Sequence, residues 1–182
     1  KHYYTHQIWP GACGSRSIEG DRLREQQRKL PLQFSNMSVL STLGIRPGGG
    51  CHYKAEGYAE IAGQLFPLVN QYNYGIEPKT SIKPPNIESV TYLGDRKDEI
   101  KLLFDQDVKW DEEIIGRFYL DDASSELTAV GGSGKVITLK LAEPSAAKKI
   151  SYVRGGKWRQ EHSILWGSND LAALTFSEVP IR

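Results

Sequence analysis

The sequence predicts an α/β segment followed by an all-β antiparallel sandwich. Three observations predict this order: β-prone and helix-period runs alternate over the first 75 residues, a proline-rich stretch follows at residues 75–85, and only short runs with a two-residue period come after it. An order of strand, helix, strand and helix implies parallel strands joined by right-handed crossovers. We place the domain boundary in the proline-rich stretch, which gives an α/β part at residues 1–77 and a sandwich at residues 78–182.

The α/β part opens with a run rich in aromatic and β-branched residues. Residues Tyr3 to Trp9 therefore predict a strand, which stops at the turn signal Pro10-Gly11. Residues 21–30, DRLREQQRKL, predict a strongly charged helix in which Asp21 is the N-cap or a first-turn acid. Because so few of its residues are apolar, we expect this helix to lie on the surface.

A second β-prone run, MSVLSTL at residues 37–43, precedes a glycine-rich loop that ends in Cys51 and His52. An apolar rhythm then predicts a second helix packed on the sheet. The rhythm is carried by Ala55, Tyr58, Ala62 and Leu65, with Ile61 beside them. Pro67 removes a backbone donor, so we expect this helix to kink or end near Phe66. His52 thus stands at a loop-to-helix junction, where it is either a general base open to a cleft or a residue of an ordinary turn.

Beyond residue 85 the pattern is typical of short antiparallel strands. Apolar residues alternate with polar ones in runs divided by Gly, Asp, Asn and Ser, which predicts a β-sandwich. The alternating residues are Val90 and Tyr92; Ile100, Leu102 and Phe104; Ile137, Leu139 and Leu141; Ile150 and Tyr152; and Ala172, Leu174 and Phe176.

Composition excludes several classes of partner. The net charge is +1 and the basic residues are dispersed, so the chain has no field that would attract nucleic acid. No apolar run approaches the length of about 18 residues that spans a membrane, so we expect no membrane partner. The first residues carry no visible export signal, and a chain that opens in mid-element without Met is expected to be processed or truncated. His2 and His6 share a strand parity but lack a third ligand, so we expect no metal and no cofactor.

The two cysteines, Cys13 and Cys51, are too few for a disulfide scaffold, and their spacing fits none of the usual zinc patterns. Both fall in loops after predicted strands and therefore at one edge of the parallel sheet. A disulfide there would fasten the loop of His52 to the loop after Trp9. Two reduced thiols in a cytosolic protein are the alternative, and the sequence leaves both open.

Three blocks in the first 75 residues occur in a familiar order and spacing: the strand at Tyr4 to Trp9, the sequence LREQQ at residues 23–27, and the block from Cys51-His52 through Gly57-Tyr58. Together they resemble the C-terminal end of the catalytic domain of SGNH/GDSL hydrolases. The likeness is greatest to the carbohydrate-esterase branch that includes sialate O-acetylesterases and acetylxylan esterases, in which the second block reads close to LREAQ. The resemblance implies that the α/β part is the C-terminal portion of a flavodoxin-like SGNH sheet.

The resemblance also implies a mechanism. A serine attacks the acyl carbon of an O-acetylated sugar, His52 takes the proton of the serine and later delivers it to the leaving alcohol, and water hydrolyses the acyl-enzyme. In the family the nucleophile and the oxyanion hole are encoded upstream of the histidine. Neither is found here, because residues 20–22, GDR, have arginine at the nucleophile position and residues 167–170, GSND, read as a turn in the sandwich. We therefore expect an N-terminal part of the same enzyme to carry the serine, and this chain alone to be inactive.

The group that orients His52 is left open by the sequence. Many members of this family place an aspartate three residues before the histidine, and Gly49 occupies that position here. A backbone carbonyl would then orient the ring, as in a Ser-His dyad, or another acid would do so. Glu56 is the candidate acid, and a solvated helix residue is its alternative role.

Four tryptophans are candidates for contact with sugars. Trp9 ends its strand at the edge where open α/β sheets bind ligands, so Trp9, with Gln7 on the same strand, is a candidate substrate-binding residue; core packing is the alternative for Trp9. Trp110, Trp158 and Trp166 form either a carbohydrate platform or part of the sandwich core. The whole chain read as a non-catalytic carbohydrate-binding or interaction module is the alternative to the esterase. A secreted or periplasmic location follows from the resemblance alone.

Overall fold

The computed structural model of the protein describes residues 1–46, 51–121, 123–124 and 127–182. Its first part is a parallel pair of strands with two helices. Strand β1 (Tyr3–Gln7) leads into helix α1 (Ile18–Gln33), which returns the chain to strand β2 (Met37–Ser41), and helix α2 (Ala55–Tyr74) follows. The two strands pair in parallel, with Tyr3 opposite Met37 and Gln7 opposite Ser41. The strand–helix order predicted from the sequence is thus present, although two parallel strands do not by themselves establish a flavodoxin-like sheet.

The expectation that helix α1 lies on the surface is wrong, because one face of the helix is buried. Asp21, Arg24, Glu25 and Arg28 are all buried, at 1–5% exposure. Their charges are paired along the helix, Arg24 with Asp21 and Arg28 with Glu25, and this pairing allows a charged face to be buried. The N-cap residue is Ser17, and Asp21 lies in the first turn. Charge content alone therefore misidentified the buried face of this helix.

Helix α2 exists as predicted but buries a different face. Gly57 and Leu68 are its buried residues, whereas Tyr58 of the predicted stripe is 49% exposed. The helix also continues through Pro67 to Tyr74 and ends at Gly75, which adopts the left-handed conformation (φ 69°) and donates its N–H to the carbonyl of Gln71. Other large side chains of α2 are also exposed, among them Phe66 at 64% and Tyr74 at 73%.

Residues 75–86 contain no helix or strand and lie along the second part of the chain. The side-chain amide of Asn169 donates to the carbonyls of Ser81 and Lys83, at 3.0 and 2.8 Å, and Gln106 donates to the same Lys83 carbonyl. The proline-rich stretch is therefore fixed against the strands that follow it. The domain boundary that we place within it stays a prediction.

All strand pairs after this stretch are antiparallel within the described residues, and they form two four-stranded sheets and one two-stranded sheet. In chain order the strands are β3 (Ile87–Leu93), β4 (Glu99–Phe104), β5 (Val108–Lys109), β6 (Phe118–Leu120), β7 (Ala123–Ser124), β8 (Leu127–Ser133), β9 (Val136–Leu141), β10 (Lys149–Tyr152), β11 (Trp166–Gly167) and β12 (Phe176–Pro180). The sheet orders are β3-β4-β9-β8, β12-β10-β6-β7 and β11-β5. The last predicted strand begins too early, because Ala172 forms only an isolated bridge and β12 starts at Phe176.

The two larger sheets share one apolar core, as expected for a sandwich. Alternate residues of β4 and β9 are fully buried and contact the aromatic residues of the facing sheet. Phe118, Tyr152 and Phe176 stack in a row there, with ring centroids 5.4 and 5.6 Å apart. In the described part of the chain, no helix combines the length and apolarity needed to cross a membrane.

Candidate functional site

A groove of about 220 Å³ lies where the carboxyl end of β1 meets the start of α2. Open α/β sheets bind their ligands at this edge. His52 and Trp9 both line the groove, so the structure brings together two residues that the sequence analysis selected separately. The remaining lining residues are His6, Ile8, Ala12, Thr42, Cys51, Tyr53, Tyr58 and Ile61.

The ring of His52 is exposed and touches a tyrosine. The hydroxyl of Tyr58, one turn into α2, lies 3.4 Å from Nδ1 of His52. Glu56, the acid considered from the sequence, is exposed and forms no hydrogen bond with His52 among the described residues. Gly49, at the position of the family aspartate, lies outside the described residues. The neighbour of Nδ1 is therefore a phenol, which sequence reasoning did not assign.

The ring of Tyr53 packs against Tyr58 and fixes its position. The hydroxyl of Tyr53 donates to the Thr42 carbonyl at 3.3 Å, and its ring meets the ring of Tyr58 edge to face at 6.0 Å. Burial raises the pKa of Tyr53 to about 12, so Tyr53 stays a neutral donor at all working pH values. A Cβ on Gly57 would lie 2.9 Å from Cβ of Tyr53, so only glycine allows α2 to approach this ring.

His6 also faces the groove, from β1. Its Nε2 is buried and has no hydrogen-bond partner in the described part of the chain. Burial lowers the pKa of His6, so the ring is neutral near pH 7. His2, on the same strand, bonds Ser38 Oγ at 2.8 Å and stacks on Tyr72. The two histidines therefore have separate neighbours.

Cys13 and Cys51 are joined in a disulfide, with Cα atoms 4.5 Å apart. The bond ties the short 3₁₀ turn at Ala12–Gly14 to the residue before His52. Of the two alternatives that the sequence leaves open, the structure has the bridged one. Closing a loop of 38 residues stabilises the folded state by roughly 4 kcal/mol in the chain-entropy view.

Trp9 packs against the sandwich core and also lines the groove of His52. Its ring is partly buried and meets Trp158 edge to face at 6.4 Å, which joins it to the sandwich core. It also lines the groove of His52, and its indole N–H is buried with no acceptor among the described residues. Substrate binding by Trp9 stays a prediction.

The prediction for Gln7 is corrected. Gln7 is 2% exposed and lies on the other face of β1, away from the groove. Its side-chain amide donates to the carbonyls of Arg24 and Thr175, and its Oε1 accepts from the Thr175 N–H at 2.8 Å. Gln7 therefore joins β1 to α1 and to the strand region before β12, and it has no group left for a substrate.

The two decoy motifs and the three sandwich tryptophans are also resolved. Residues 20–22 lie in α1, and residues 167–170 form a turn closed by the Asp170 N–H and the Gly167 carbonyl at 3.1 Å. Trp158 is 3% exposed and belongs to the core, so a platform of three tryptophans does not exist. Trp110 and Trp166 are partly exposed and line a second groove.

Comparison with known proteins identifies a fold. No family model matches the sequence, and no curated protein matches it. The structure of a carbohydrate acetylesterase from Xanthomonas citri is similar, with a TM-score of 0.71, 14% identity, and coverage of 96% of this chain and 40% of that chain. The chain thus folds like part of a carbohydrate acetylesterase and spans 40% of the length of that protein.

Two structures of the bacterial S-layer protein SbsC match at a lower level. Residues 31–844 of that protein give a TM-score of 0.39 and 16% identity, covering 70% of this chain and 16% of that one. Its N-terminal part gives a TM-score of 0.34 and 14% identity, covering 92% and 38%.

Proposed function

We propose that this chain is the histidine-bearing part of an SGNH-type carbohydrate O-acetylesterase whose nucleophilic serine lies in a preceding segment or a separate chain. One observation carries the proposal: His52 lies in a groove at the carboxyl edge of parallel strands, in a chain that folds like part of a carbohydrate acetylesterase. The substrate is an acetylated carbohydrate.

In this mechanism His52 acts through Nε2. If Nδ1 carries the proton and donates it to the Tyr58 oxygen, the lone pair on Nε2 is free to accept the proton of the serine. The serine oxygen bonds to the acyl carbon, and the electron pair of the carbonyl moves to its oxygen. Collapse breaks the bond to the sugar oxygen, which leaves with the proton from Nε2. A water then repeats both steps on the acyl-enzyme.

The serine-bearing part has a surface to pack against. Within the described residues β1 pairs only with β2, so its other edge carries free backbone donors and acceptors. Large apolar side chains beside this part of the fold are exposed, among them Tyr3 at 56%, Phe66 at 64% and Tyr74 at 73%. Exposed apolar side chains of this size mark interfaces. We therefore propose that further strands of an SGNH sheet pair with the free edge of β1.

We place the complete enzyme outside the cytosol, secreted or periplasmic. The disulfide between Cys13 and Cys51 supports this location, because such bonds persist in oxidising compartments.

The test is His52→Ala in the full-length protein, assayed with p-nitrophenyl acetate. Loss of the base should lower turnover on the order of a millionfold. His2→Ala, which removes a histidine just before β1 that lines neither groove, is the matched control and should retain activity. Hydrolysis that survives in His52→Ala would remove His52 from the mechanism.

A non-catalytic carbohydrate-binding module is the second candidate. The groove that Trp110 and Trp166 line favours it, because paired indoles suit the apolar faces of sugars. The natural reading frame discriminates the two: a GDS-like block upstream of Lys1 supports the esterase, and a frame without one supports the module.

A further inference from the structure

A second groove, of about 480 Å³, lies on the sandwich, apart from the groove of His52. It is bounded by the short ladder of β5 and β11, in which Trp166 pairs with Lys109 and Trp110 follows directly. The other lining residues are Arg46, Asp111, Glu161, His162, Ser163, Ile164 and Asp170. Nothing in the proposed ester hydrolysis uses this groove.

The two tryptophans form a rigid apolar surface. Both pack against the sandwich core on one side and line the groove with the rest of the ring. Trp166 also rests on Gly44, where an added Cβ would lie 2.8 Å from its Cζ3, so a side chain there would displace the indole. In the part of the chain that the structure describes, neither indole N–H has an acceptor, and neither is buried. Both are available to a ligand.

The polar groups around these rings are donors and acceptors in nearly equal number. Lys109 pairs with Asp170 at 3.1 Å, and Glu161 and Arg46 have no partner among the described residues. Nδ1 of His162 accepts the Arg159 N–H at 3.1 Å, so its Nε2 carries the proton and donates. Burial lowers the pKa of His162, so this donor is uncharged near pH 7.

The formal charges identify the class of ligand. The lining side chains carry two positive charges, on Arg46 and Lys109, and three negative ones, and Arg117 and Arg159 add positive charge near His162. The formal charges therefore nearly balance and give no strong field for an anion. A pair of indole faces with mixed donors and acceptors suits a neutral sugar, whose C–H faces stack on the rings and whose hydroxyls bond carboxylates and guanidinium. A uronic acid or a nucleic acid would gain no net attraction from these nearly balanced charges.

We propose that this groove binds a neutral glycan, namely sugar units of the polymer whose acetyl groups the enzyme removes. As a statement about the substrate, this inference rests on the proposed function. The chain segment between β2 and α2 contributes to both grooves, with Thr42 and His52 in one and Arg46 in the other. A sugar chain held on the tryptophans is therefore bound by the same segment that carries the base.

The binding test uses xylohexaose and cellohexaose as neutral probes and a galacturonate hexamer as the anionic probe, with titration calorimetry on the full-length protein. Wild type should bind at least one neutral probe and not the anionic one. Trp110→Ala should weaken binding about tenfold or more, as expected for removal of a central tryptophan. Glu143→Gln changes an exposed carboxylate of the sandwich that lines neither groove, and it is the control. If Trp110→Ala does not fold, Arg46→Ala and Glu161→Gln, which change polar side chains of the groove, provide the test and should weaken binding.

A second measurement separates this inference from the proposed function. The wild-type protein is assayed on p-nitrophenyl acetate, which does not reach the groove, and on acetylated xylan, which does. On acetylated xylan, Trp110→Ala should raise KM about tenfold relative to wild type. If the wild-type protein binds a neutral probe but hydrolyses neither ester, the esterase proposal is wrong, whereas glycan binding by the groove is supported. The proposal that this groove binds a glycan would be wrong if wild type bound neither neutral probe. It would also be wrong if Trp110→Ala and the two polar variants bound the probes as tightly as wild type.

Discussion

The sandwich and the α/β part differ in how much of their large apolar side chains is exposed to solvent. In the sandwich, Ile100, Leu102 and Phe104 are at 0% exposure, and both larger sheets contribute to one core. In the α/β part, Phe66 and Tyr74 of α2 are 64% and 73% exposed. The sandwich therefore buries its large apolar side chains within its own core, whereas the α/β part leaves several of them exposed to solvent.

The junction between α1 and the sandwich is polar, whereas Trp9 and Leu43 pack on the apolar core of the sandwich. The carboxylate of Glu25 accepts the Ser177 N–H at 3.1 Å, Asp21 accepts the Gly155 N–H at 2.8 Å, and Gln7 bonds Thr175 in both directions. Apolar burial stabilises the sandwich internally, but paired charges and backbone groups hold it to α1. A junction of this kind is sensitive to the loss of one partner, because the other is then buried with an unsatisfied charge.

Breaking this junction should give a large change in stability. Arg24→Met removes a guanidinium that is 1% exposed and leaves the buried Asp21 with the more distant Arg154, at 3.5 Å, which should cost roughly 3 kcal/mol in the free energy of unfolding. Denaturant unfolding of the 182-residue chain measures the effect.

Two further variants test the cause. Asp21→Asn combined with Arg24→Met removes both charges and should cost clearly less than the sum of the single changes. Arg22→Met, whose side chain is 56% exposed, should change stability by less than about 1 kcal/mol. An Arg24 variant as stable as the Arg22 variant would show that the buried pair does not hold the junction.

A pair of substitutions tests the difference in apolar burial directly. Leu102→Ala, at 0% exposure in β4, should destabilise the chain by roughly 2–5 kcal/mol. Phe66→Ser, on the exposed face of α2, should change the stability of this chain by no more than about 0.5 kcal/mol.

The full-length protein sharpens that test. If the serine-bearing part covers α2, Phe66→Ser should cost about 2 kcal/mol or more there, as for a buried side chain. Thermal unfolding of both forms provides the measurement. An equally small effect in the two forms would mean that the exposed face of α2 is not an interface.

The sandwich was the more predictable half from sequence, for a physical reason. Alternation such as Ile100, Leu102 and Phe104 fixes both the element and its buried face, because a strand has only two faces. A helix offers a continuum of faces. The rhythm of α2 predicted the helix, but its exposed apolar residues, Tyr58 among them, share the helix period with the buried ones, so the pattern could not distinguish a face awaiting a partner from a face already packed.

The site shows the same limit. His52 and Trp9 could be selected because residue type and position at a strand end point to one sheet edge. Gln7 was misassigned because parity on β1 places it opposite His6, on the face that meets α1. The contact of Tyr58 with His52 depends on how the loop enters α2, which no local pattern encodes.

Removing the hydroxyl of Tyr58 should lower the catalytic rate without changing the stability of the fold. Tyr58→Phe in the full-length protein keeps the ring but deletes the acceptor beside Nδ1 of His52, so kcat on p-nitrophenyl acetate should fall roughly tenfold to a hundredfold with KM unchanged. Tyr74→Phe, on the exposed end of the same helix, is the control and should match wild type. Equal kcat values in the two variants would exclude Tyr58 as the positioning residue.

The smallest expected effect is a pH dependence at the junction. Hydrogen bonds from Arg22 and then Lys149 lower the pKa of Glu178 from 4.5 to about 2. A carboxylate with a depressed folded-state pKa stabilises the protein above the unfolded value, so this contribution is full above pH 4.5 and is lost as the pH falls toward 2. Arg22 and Lys149 are 56% and 50% exposed, so solvent screening should keep the contribution below about 1 kcal/mol.

Glu178→Gln should therefore be less stable than wild type at pH 6, and the difference should shrink between pH 4.5 and pH 2 in denaturant unfolding. Glu77→Gln removes an exposed carboxylate that has no ion pair in the described part of the chain, and so controls for net charge. If the stability difference between Glu178→Gln and wild type stayed constant across that range, the bonds from Arg22 and Lys149 would contribute nothing through the ionisation of Glu178. The junction would then depend on its buried pairs alone, and the contrast with the apolar core of the sandwich would rest on Asp21, Arg24, Glu25 and Arg28.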